Sequence, residues 1–287
     1  MKTYAKILLV AAALSLMSLP ASAGKVVTDS LRSSALGKYV KCNVYLPDGF
    51  NAQGKTFPVI YLLHGLTDTY TAWMEKGNMK PVVDELITSG ESLPVVIVMP
   101  DAGGPNPVDT WNGYFNVPGR NYEDFFFQEL IPWAESKYKA GGSKGRRAIM
   151  GLSMGGGGST VYCQRHPDMF SSCFAMSAWL DEDMTGQKPS KEGDRLYAVR
   201  KSVHEHSALD FIENADQATL KKLRSLAWFI DCGDDDFLLG LNVKFYQLMR
   251  DKKVPAQLRV RNGIHNWEYW HYSIRTALPY ASRNFTL

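Results

Sequence analysis

Short apolar runs recur along this chain, separated by stretches with a helical period. "PVIYLL" (58–63) and "PVVIVM" (94–99) hold no charged residue, and 147–152, 172–176 and 226–232 repeat the theme. Runs of this length without alternation mark strands buried on both faces. Two further strands are expected at 39–46, stopped by Pro47-Asp48-Gly49, and at 257–261. Between the runs, helices are expected over 78–89, 121–138, 154–165, 240–251 and 267–278. Within 122–138, Phe126, Leu130, Trp133 and Tyr138 recur at three-, four- and five-residue steps, which gives one apolar face. Strands alternating with helices predict an α/β fold: a mostly parallel central sheet with helices on both faces. Functional residues then belong in loops at the carboxyl ends of strands. One long departure, 179–225, is charged and polar with a helical tail near 216–223. It reads as an excursion over the sheet edge, a cap on the site.

The first 23 residues stand apart from this pattern. Lys2 and Lys6 precede an apolar run, Ile7 to Met17; Pro20 breaks it, and Ala21-Ser22-Ala23 is a small-x-small cleavage site. This is the pattern of a secretory signal peptide, too short and wrongly flanked for a membrane span. It leaves 24–287 as one folded domain and places the protein outside the cytoplasm, secreted or periplasmic. Losing the two lysines takes the net charge from +3 to +1. With no basic field, nucleic acid is excluded as a partner class, and no later segment is apolar enough to span a membrane. The four cysteines, Cys42, Cys163, Cys173 and Cys232, are too few and too dispersed for a disulfide scaffold. Most are expected free and buried, with Cys163–Cys173 the one candidate bridge.

Four strand ends carry candidate chemistry: His64-Gly65-Leu66, Gly151-Leu152-Ser153-Met154-Gly155, Gly233-Asp234-Asp235-Asp236 and Gly263-Ile264-His265-Asn266-Trp267. The second is a Gly-x-Ser-x-Gly frame between a strand and a helix. There a serine stands on a strained turn over a helix N-terminus, and the glycines avoid collision with neighbouring elements. A phosphate loop is disfavoured, because neither G-x-G-x-x-G nor G-x-x-x-x-G-K-[S/T] threads through 151–160. Gly156 to Gly158 fit a helix start pressed against the sheet.

Serine needs a base. Among six histidines, His265 follows the last strand in a loop, whereas His64 serves the oxyanion loop. His166 and His271 read as structural. The "HEH" pair His204 and His206 lacks a third metal ligand. The chain order Ser, Asp, His is that of the α/β-hydrolases. It places the acid among Asp231, Asp234, Asp235 and Asp236, and spacing does not choose between them. The oxyanion needs two backbone N–H groups, expected from Met154 and Leu66.

"YLLHGLTDTYTAW", "VVIVMPDAGG", "GLSMGGGGS", "DCGDDDF" and "GIHNWEYW" together resemble the esterase D and feruloyl esterase group of α/β-hydrolases, carbohydrate esterase family 1, over roughly 38–280. The resemblance implies Asp236, before Phe237, as the acid, Ser153 as nucleophile, His265 as base, and Leu66 and Met154 as oxyanion donors. One departure is Asn266, where relatives often carry Asp. Asn adds no charge near the imidazole, so the change bears on pH behaviour more than on mechanism.

These readings converge on a secreted serine carboxylic ester hydrolase. Its expected substrates are acyl esters, feruloyl or acetyl, of plant polysaccharide or related small esters, cleaved through an acyl-serine intermediate. His64, Trp111, Trp267 and Trp270, with Tyr114 and Phe115, are the candidate substrate contacts. No metal or organic cofactor is called for. The rivals are acyl transfer of the mycolyltransferase type to a sugar or lipid alcohol, and a non-catalytic glycan-binding protein of hydrolase fold. The complete triad disfavours the second.

Overall fold

The computed structural model describes residues 23–51, 54–110 and 113–286. Ten strands occur among them. They are Lys25–Arg32 (β1), Tyr39–Leu46 (β2), Val59–Leu63 (β3), Val96–Pro100 (β4), Asn116–Val117 (β5), Arg120–Asn121 (β6), Arg147–Leu152 (β7), Ser172–Met176 (β8), Ala227–Gly233 (β9) and Gln257–Arg261 (β10). Eight form one sheet in the order β1-β2-β4-β3-β7-β8-β9-β10. The β1–β2 and β2–β4 pairings are antiparallel and the others parallel. β5 and β6 make a small separate hairpin.

The continuous apolar runs are the central strands because both sheet faces are covered. Alternate side chains of β3 enter opposite layers. Val59, Tyr61 and Leu63 pack with Phe126 and Tyr162. Ile60 and Leu62 pack with Trp73, Val83 and Met150. The period-2 geometry of a strand makes this division. Each fully buried side chain of this size contributes roughly 1.5–3 kcal/mol relative to exposure.

The expected mostly parallel sheet and its seven strands are all present. β1, "KVVTDSLR", has no place in the sequence reading. It is an edge strand that lies half in solvent, so its polar residues hide the pattern. The stretch 122–138 is helical as expected, but Phe125–Leu130 is a π segment. The wider i→i+5 turn explains the irregular step and leaves Trp133 only half-buried while Phe126 and Leu130 are fully buried.

Two helical expectations need correction. The last helix does not stop at 278 but runs Trp267–Arg283, through Pro279. Proline removes one backbone hydrogen bond, yet the turn beyond it packs on the sheet. Tyr280 meets Phe174 and Phe229 edge-on, at 5.9 and 5.1 Å between centroids. The excursion carries three helices rather than a tail: Arg195–Glu205, Ala208–Asn214 and Gln217–Leu223. Each opens on a side-chain cap, with Asp194, Ser207 and Asp216 accepting from the N–H three residues on.

The glycine run opens the helix Met154–Arg165, which lies between the sheet and the excursion. A Cβ at Gly155 would stand 2.6 Å from the His64 carbonyl oxygen; one at Gly157 would overlap that of Trp179. Glycine costs roughly 1 kcal/mol relative to alanine in a helix. Here it lets the helix start approach two backbones at once.

The expected signal segment falls, apart from Ala23, outside the described residues, as does Trp111. Among the described residues no helix is long and apolar enough to cross a membrane.

Candidate active site

Ser153 sits between β7 and the helix Met154–Arg165 at φ +52° and ψ −117°. This is a strained conformation for a residue with a side chain. Backbone bonds hold it there. Its N–H donates to Met176 O (2.9 Å), and its carbonyl accepts from Gly157 N–H (3.0 Å) and Trp179 N–H (2.9 Å). The two glycines of the frame are steric requirements: a Cβ at Gly151 would overlap the Gly155 carbonyl.

The strand-end loops bring His265 and Asp236 to this serine. His265 Nε2 lies 3.0 Å from Ser153 Oγ. His265 Nδ1 lies 2.9 and 3.0 Å from the two oxygens of Asp236. An ionised carboxylate only accepts, so Nδ1 carries the proton and Nε2 is left to accept from the serine hydroxyl. Phe237 and Trp270 flank the imidazole at 4.5 and 4.8 Å, the latter edge-on at 89°. Asp236 is buried. Burial alone raises its carboxyl pKa, but hydrogen bonds from His265, the Leu238 N–H (2.8 Å) and Ser177 outweigh it and hold the group below the ordinary value.

The other three aspartates are occupied or remote. Asp231 is fully buried beneath the loop, paired with Arg259 (2.9 Å) and Arg261 (3.3 Å), and accepts from Tyr269 Oη (2.8 Å). Asp234 accepts from Gly263 N–H (2.8 Å) and so ties the acid loop to the histidine loop. Asp235 is exposed. Asn266 caps the last helix, accepting from Tyr269 N–H at 3.0 Å. A short acceptor is needed at that point whatever its charge.

Met154 is the first residue of its helix, so its N–H has no acceptor within the helix. Leu66 borders the same cavity as Ser153. The loop that carries Leu66 is fixed by His64, whose Nδ1–H donates to Gly65 O (2.8 Å) and whose Nε2 accepts from Ala102 N–H (2.9 Å). Tyr114 Oη bonds both the N–H and the carbonyl of His64, each at 2.9 Å. Burial lowers the His64 pKa and keeps the ring neutral.

The expected substrate contacts therefore change. His64 is 1 % exposed with both ring nitrogens bound to backbone, so it cannot touch substrate. Tyr114 and Phe115 are core residues. Trp270 is buried, and its Nε1–H donates to Ser177 Oγ (3.0 Å). Trp267 packs edge-on against Trp73 (5.1 Å) and Trp270 (5.4 Å). Neither tryptophan borders the cavity at Ser153. That cavity, about 370 Å³, has apolar walls of Leu66, Trp179, Leu196, Phe237 and Leu238.

Glu182 and Arg200 make the polar wall of the cavity. Glu182 accepts from Trp179 Nε1–H (2.9 Å) and Arg200 Nε–H (2.7 Å). The sequence signal for these residues was thin. Trp179 lies three residues past the end of β8. Leu196 and Arg200 are four apart on one face of the helix Arg195–Glu205, whose charged residues mask its period. A larger depression of about 650 Å³, bordered by Lys144, Arg224 and Asn284, lies apart from these groups.

The remaining histidines have structural partners. His166 Nε2 is 3.0 Å from Glu123, His206 stacks on Phe115 at 4.4 Å, and His271 Nδ1 bonds Gly77 O at 2.7 Å. Among the described residues no three His, Cys, Asp or Glu side chains are grouped to hold a metal. The candidate Cys163–Cys173 bridge is not formed: all four cysteines are free and buried. The Cys163 and Cys173 thiols are instead hydrogen-bonded neighbours, and burial pushes the Cys163 pKa well up.

Comparison with known proteins follows the same geometry. A solved ferulic acid esterase structure is 47 % identical with a TM-score of 0.88, the match covering 92 % of this chain and 98 % of that one. An esterase of Mycobacterium tuberculosis is 34 % identical over 151 residues, 51 % of this chain and 30 % of that protein. An endo-1,4-beta-xylanase/feruloyl esterase of Xylanibacter ruminicola is 32 % identical over 174 residues, 58 % of this chain and 24 % of that protein. The chain thus spans less than a third of the length of these two curated relatives. The family model described as "Putative esterase" matches residues 33–281, a span that includes all four strand-end loops. On that match, and with an α/β-hydrolase sheet beneath the site, the chain belongs to the esterase family.

Proposed function

We propose that this protein is a serine carboxylesterase acting on feruloyl or acetyl esters of plant polysaccharide or related small esters. The observation that carries the reading is the unbroken chain Ser153 Oγ–His265 Nε2–Asp236, at 3.0 and 2.9 Å, at the edge of an acyl-sized cavity. Ser153 Oγ attacks the ester carbonyl while its proton passes to His265 Nε2. Asp236 holds the tautomer and stabilises the imidazolium. The N–H groups of Met154 and Leu66 stabilise the oxyanion, each such donor contributing roughly 10²–10³ in rate. Collapse breaks the bond to the alcohol oxygen, which takes the proton from His265. Water, deprotonated by the same imidazole, then releases the acid and returns the proton to Ser153.

The cavity holds the acyl group. It borders Ser153 and Leu66 but not His265, which must face the departing alcohol. Its size exceeds what an acetyl group fills and suits an aryl-acyl group. Arg200 spends Nε and Nη2 on Glu182, while among the described residues Nη1 reaches Gln187 Oε1 at 3.5 Å. Donors therefore remain for an oxygen at the far end of the acyl group. The N-terminal segment 1–23 directs export and is removed after Ala23, leaving one domain, 24–287.

Replacement of Ser153 by Ala tests the reading. Hydrolysis of p-nitrophenyl acetate and methyl ferulate is lost while the melting profile is retained; residual turnover near wild type removes the serine from the mechanism.

A further inference from the structure

Gly24 precedes β1, and its backbone is tightly held. Its N–H donates to Asp84 Oδ1 at 2.9 Å. The same oxygen accepts from the Tyr45 hydroxyl at 2.7 Å, and Lys80 Nζ lies 2.5 Å from Oδ2. Asp84 and Lys80 belong to the helix Met79–Thr88 and Tyr45 to β2, so the residue beside β1 is gripped by two other elements. The site is cut to glycine: a Cβ on Gly24 would overlap the Tyr45 hydroxyl and stand 2.7 Å from the Leu46 carbonyl. Gly24 is buried, whereas Ala23 is exposed and borders an open depression of about 270 Å³ that also includes Asp48.

We propose that this is a capture site for an α-ammonium group: cleavage after Ala23 frees the Gly24 amine, and Asp84 binds it. The inference rests on the processing step proposed above. Hydrolysis of the Ala23–Gly24 peptide bond by a signal-type protease consumes one water. It leaves a carboxylate on Ala23 and an amine on Gly24, which takes a proton at neutral pH. The amide donor at 2.9 Å from the Asp84 carboxylate then becomes an ammonium, which adds an ion pair to a bond the carboxylate already assists.

The charges facing the amine are Asp84 and Lys80 from the helix and, around Tyr45, Asp48; Lys25 is its neighbour in the chain. Two carboxylates against Lys80 and Lys25 leave the site without excess positive charge before the amine forms. The Tyr45 phenol is pushed well above its ordinary pKa by burial and by its bond to Asp84, so it remains a donor. The carboxylate raises the amine's pKa above its unfolded value of about 7.7–8.0. The added stability is therefore fully present below that value and is lost as pH rises through the folded pKa. Maturation, on this view, locks β1 onto the sheet edge.

The test uses the full-length chain exported and processed by its host, beside a chain with one serine inserted between Ala23 and Gly24. Mass spectrometry reads the mature terminus of each. Expected is a terminus at Gly24 that melts about 2–4 °C above the inserted form at pH 7. That gap closes at pH 10 and is absent when both forms carry Asp84→Asn. Equal melting at pH 7, or a gap that persists at pH 10 or in Asp84→Asn, overturns the capture site. A mature chain that keeps residues before Gly24 overturns the processing step, and the proposal with it.

Discussion

Asp236 gives both carboxylate oxygens to His265 Nδ1, at 2.9 and 3.0 Å, while Asp231, five residues earlier and more deeply buried, gives both of its own to arginines and a tyrosine. Strand β9 and the loop that follows it thus carry two buried aspartates with separate partners, and they fail differently.

For Asp236→Asn the fold is expected to survive and kcat for p-nitrophenyl butyrate to fall by about 10⁴, because the amide no longer fixes the imidazole tautomer. Steady-state kinetics beside a thermal melt checks it. A loss of less than tenfold removes Asp236 from the proposed triad.

Asp231→Asn leaves Arg259 and Arg261 without their buried counter-charge and is expected to cost about 3–5 kcal/mol of stability. Burial raises the Asp231 carboxyl pKa, but bonds from Arg259 and Ser273 and the charges of Arg259 and Arg261 hold it below the ordinary value. Its contribution is therefore present above the unfolded pKa of about 3.9 and fades as pH falls through the folded one. Urea melts of wild type and variant should differ at pH 7 and converge below about pH 4.

Two glycine-to-alanine changes should have opposite signs. At Gly157 the new methyl overlaps the Trp179 carbonyl, so Gly157→Ala is expected to destabilise by about 1–3 kcal/mol. At Gly240, in the first turn of the helix Leu239–Asp251, nothing lies within 4 Å of the added Cβ. Gly240→Ala is expected to stabilise by about 0.5–1 kcal/mol. Equal effects in denaturant melts would mean that the close approach to Trp179 does not govern the glycine run.

Arg200→Met tests how the acyl cavity chooses. Methyl ferulate carries distal oxygens that methyl cinnamate lacks. A hydrogen bond from a charged group is worth about 1.5–3 kcal/mol, so wild type should favour ferulate by about tenfold or more in kcat/KM. The variant should lose that preference. A ratio unchanged by the substitution assigns the selection to other walls of the cavity.

The sheet and the serine frame were legible because each rests on a local rule. Apolar runs without alternation form central strands, and a glycine-flanked serine between strand and helix forms an elbow. Spacing left four aspartates in play because choosing among them needs the depth of Arg259 and Arg261, which are distant in sequence. The aromatic residues misled for a related reason. Trp267 and Trp270 lie close to His265 along the chain, but they occupy the first turn of a helix whose buried side takes them into ring packing. Trp179, three residues past β8, and Phe237, next to Asp236, are the aromatic residues that reach the cavity. The excursion hid its helices behind charged residues, although Asp194, Ser207 and Asp216 each stand at a helix start.

β10, which delivers His265, is an edge strand of the sheet, paired on one side only and exposed or half-exposed along all five residues. Ser153, the proposed nucleophile, by contrast follows β7 in the interior. Edge strands open more readily than central ones. The proposed base is therefore mounted on a part of the scaffold that opens at lower cost than the strand before Ser153. In rising denaturant, turnover should disappear while the tryptophans of the core still report a folded sheet.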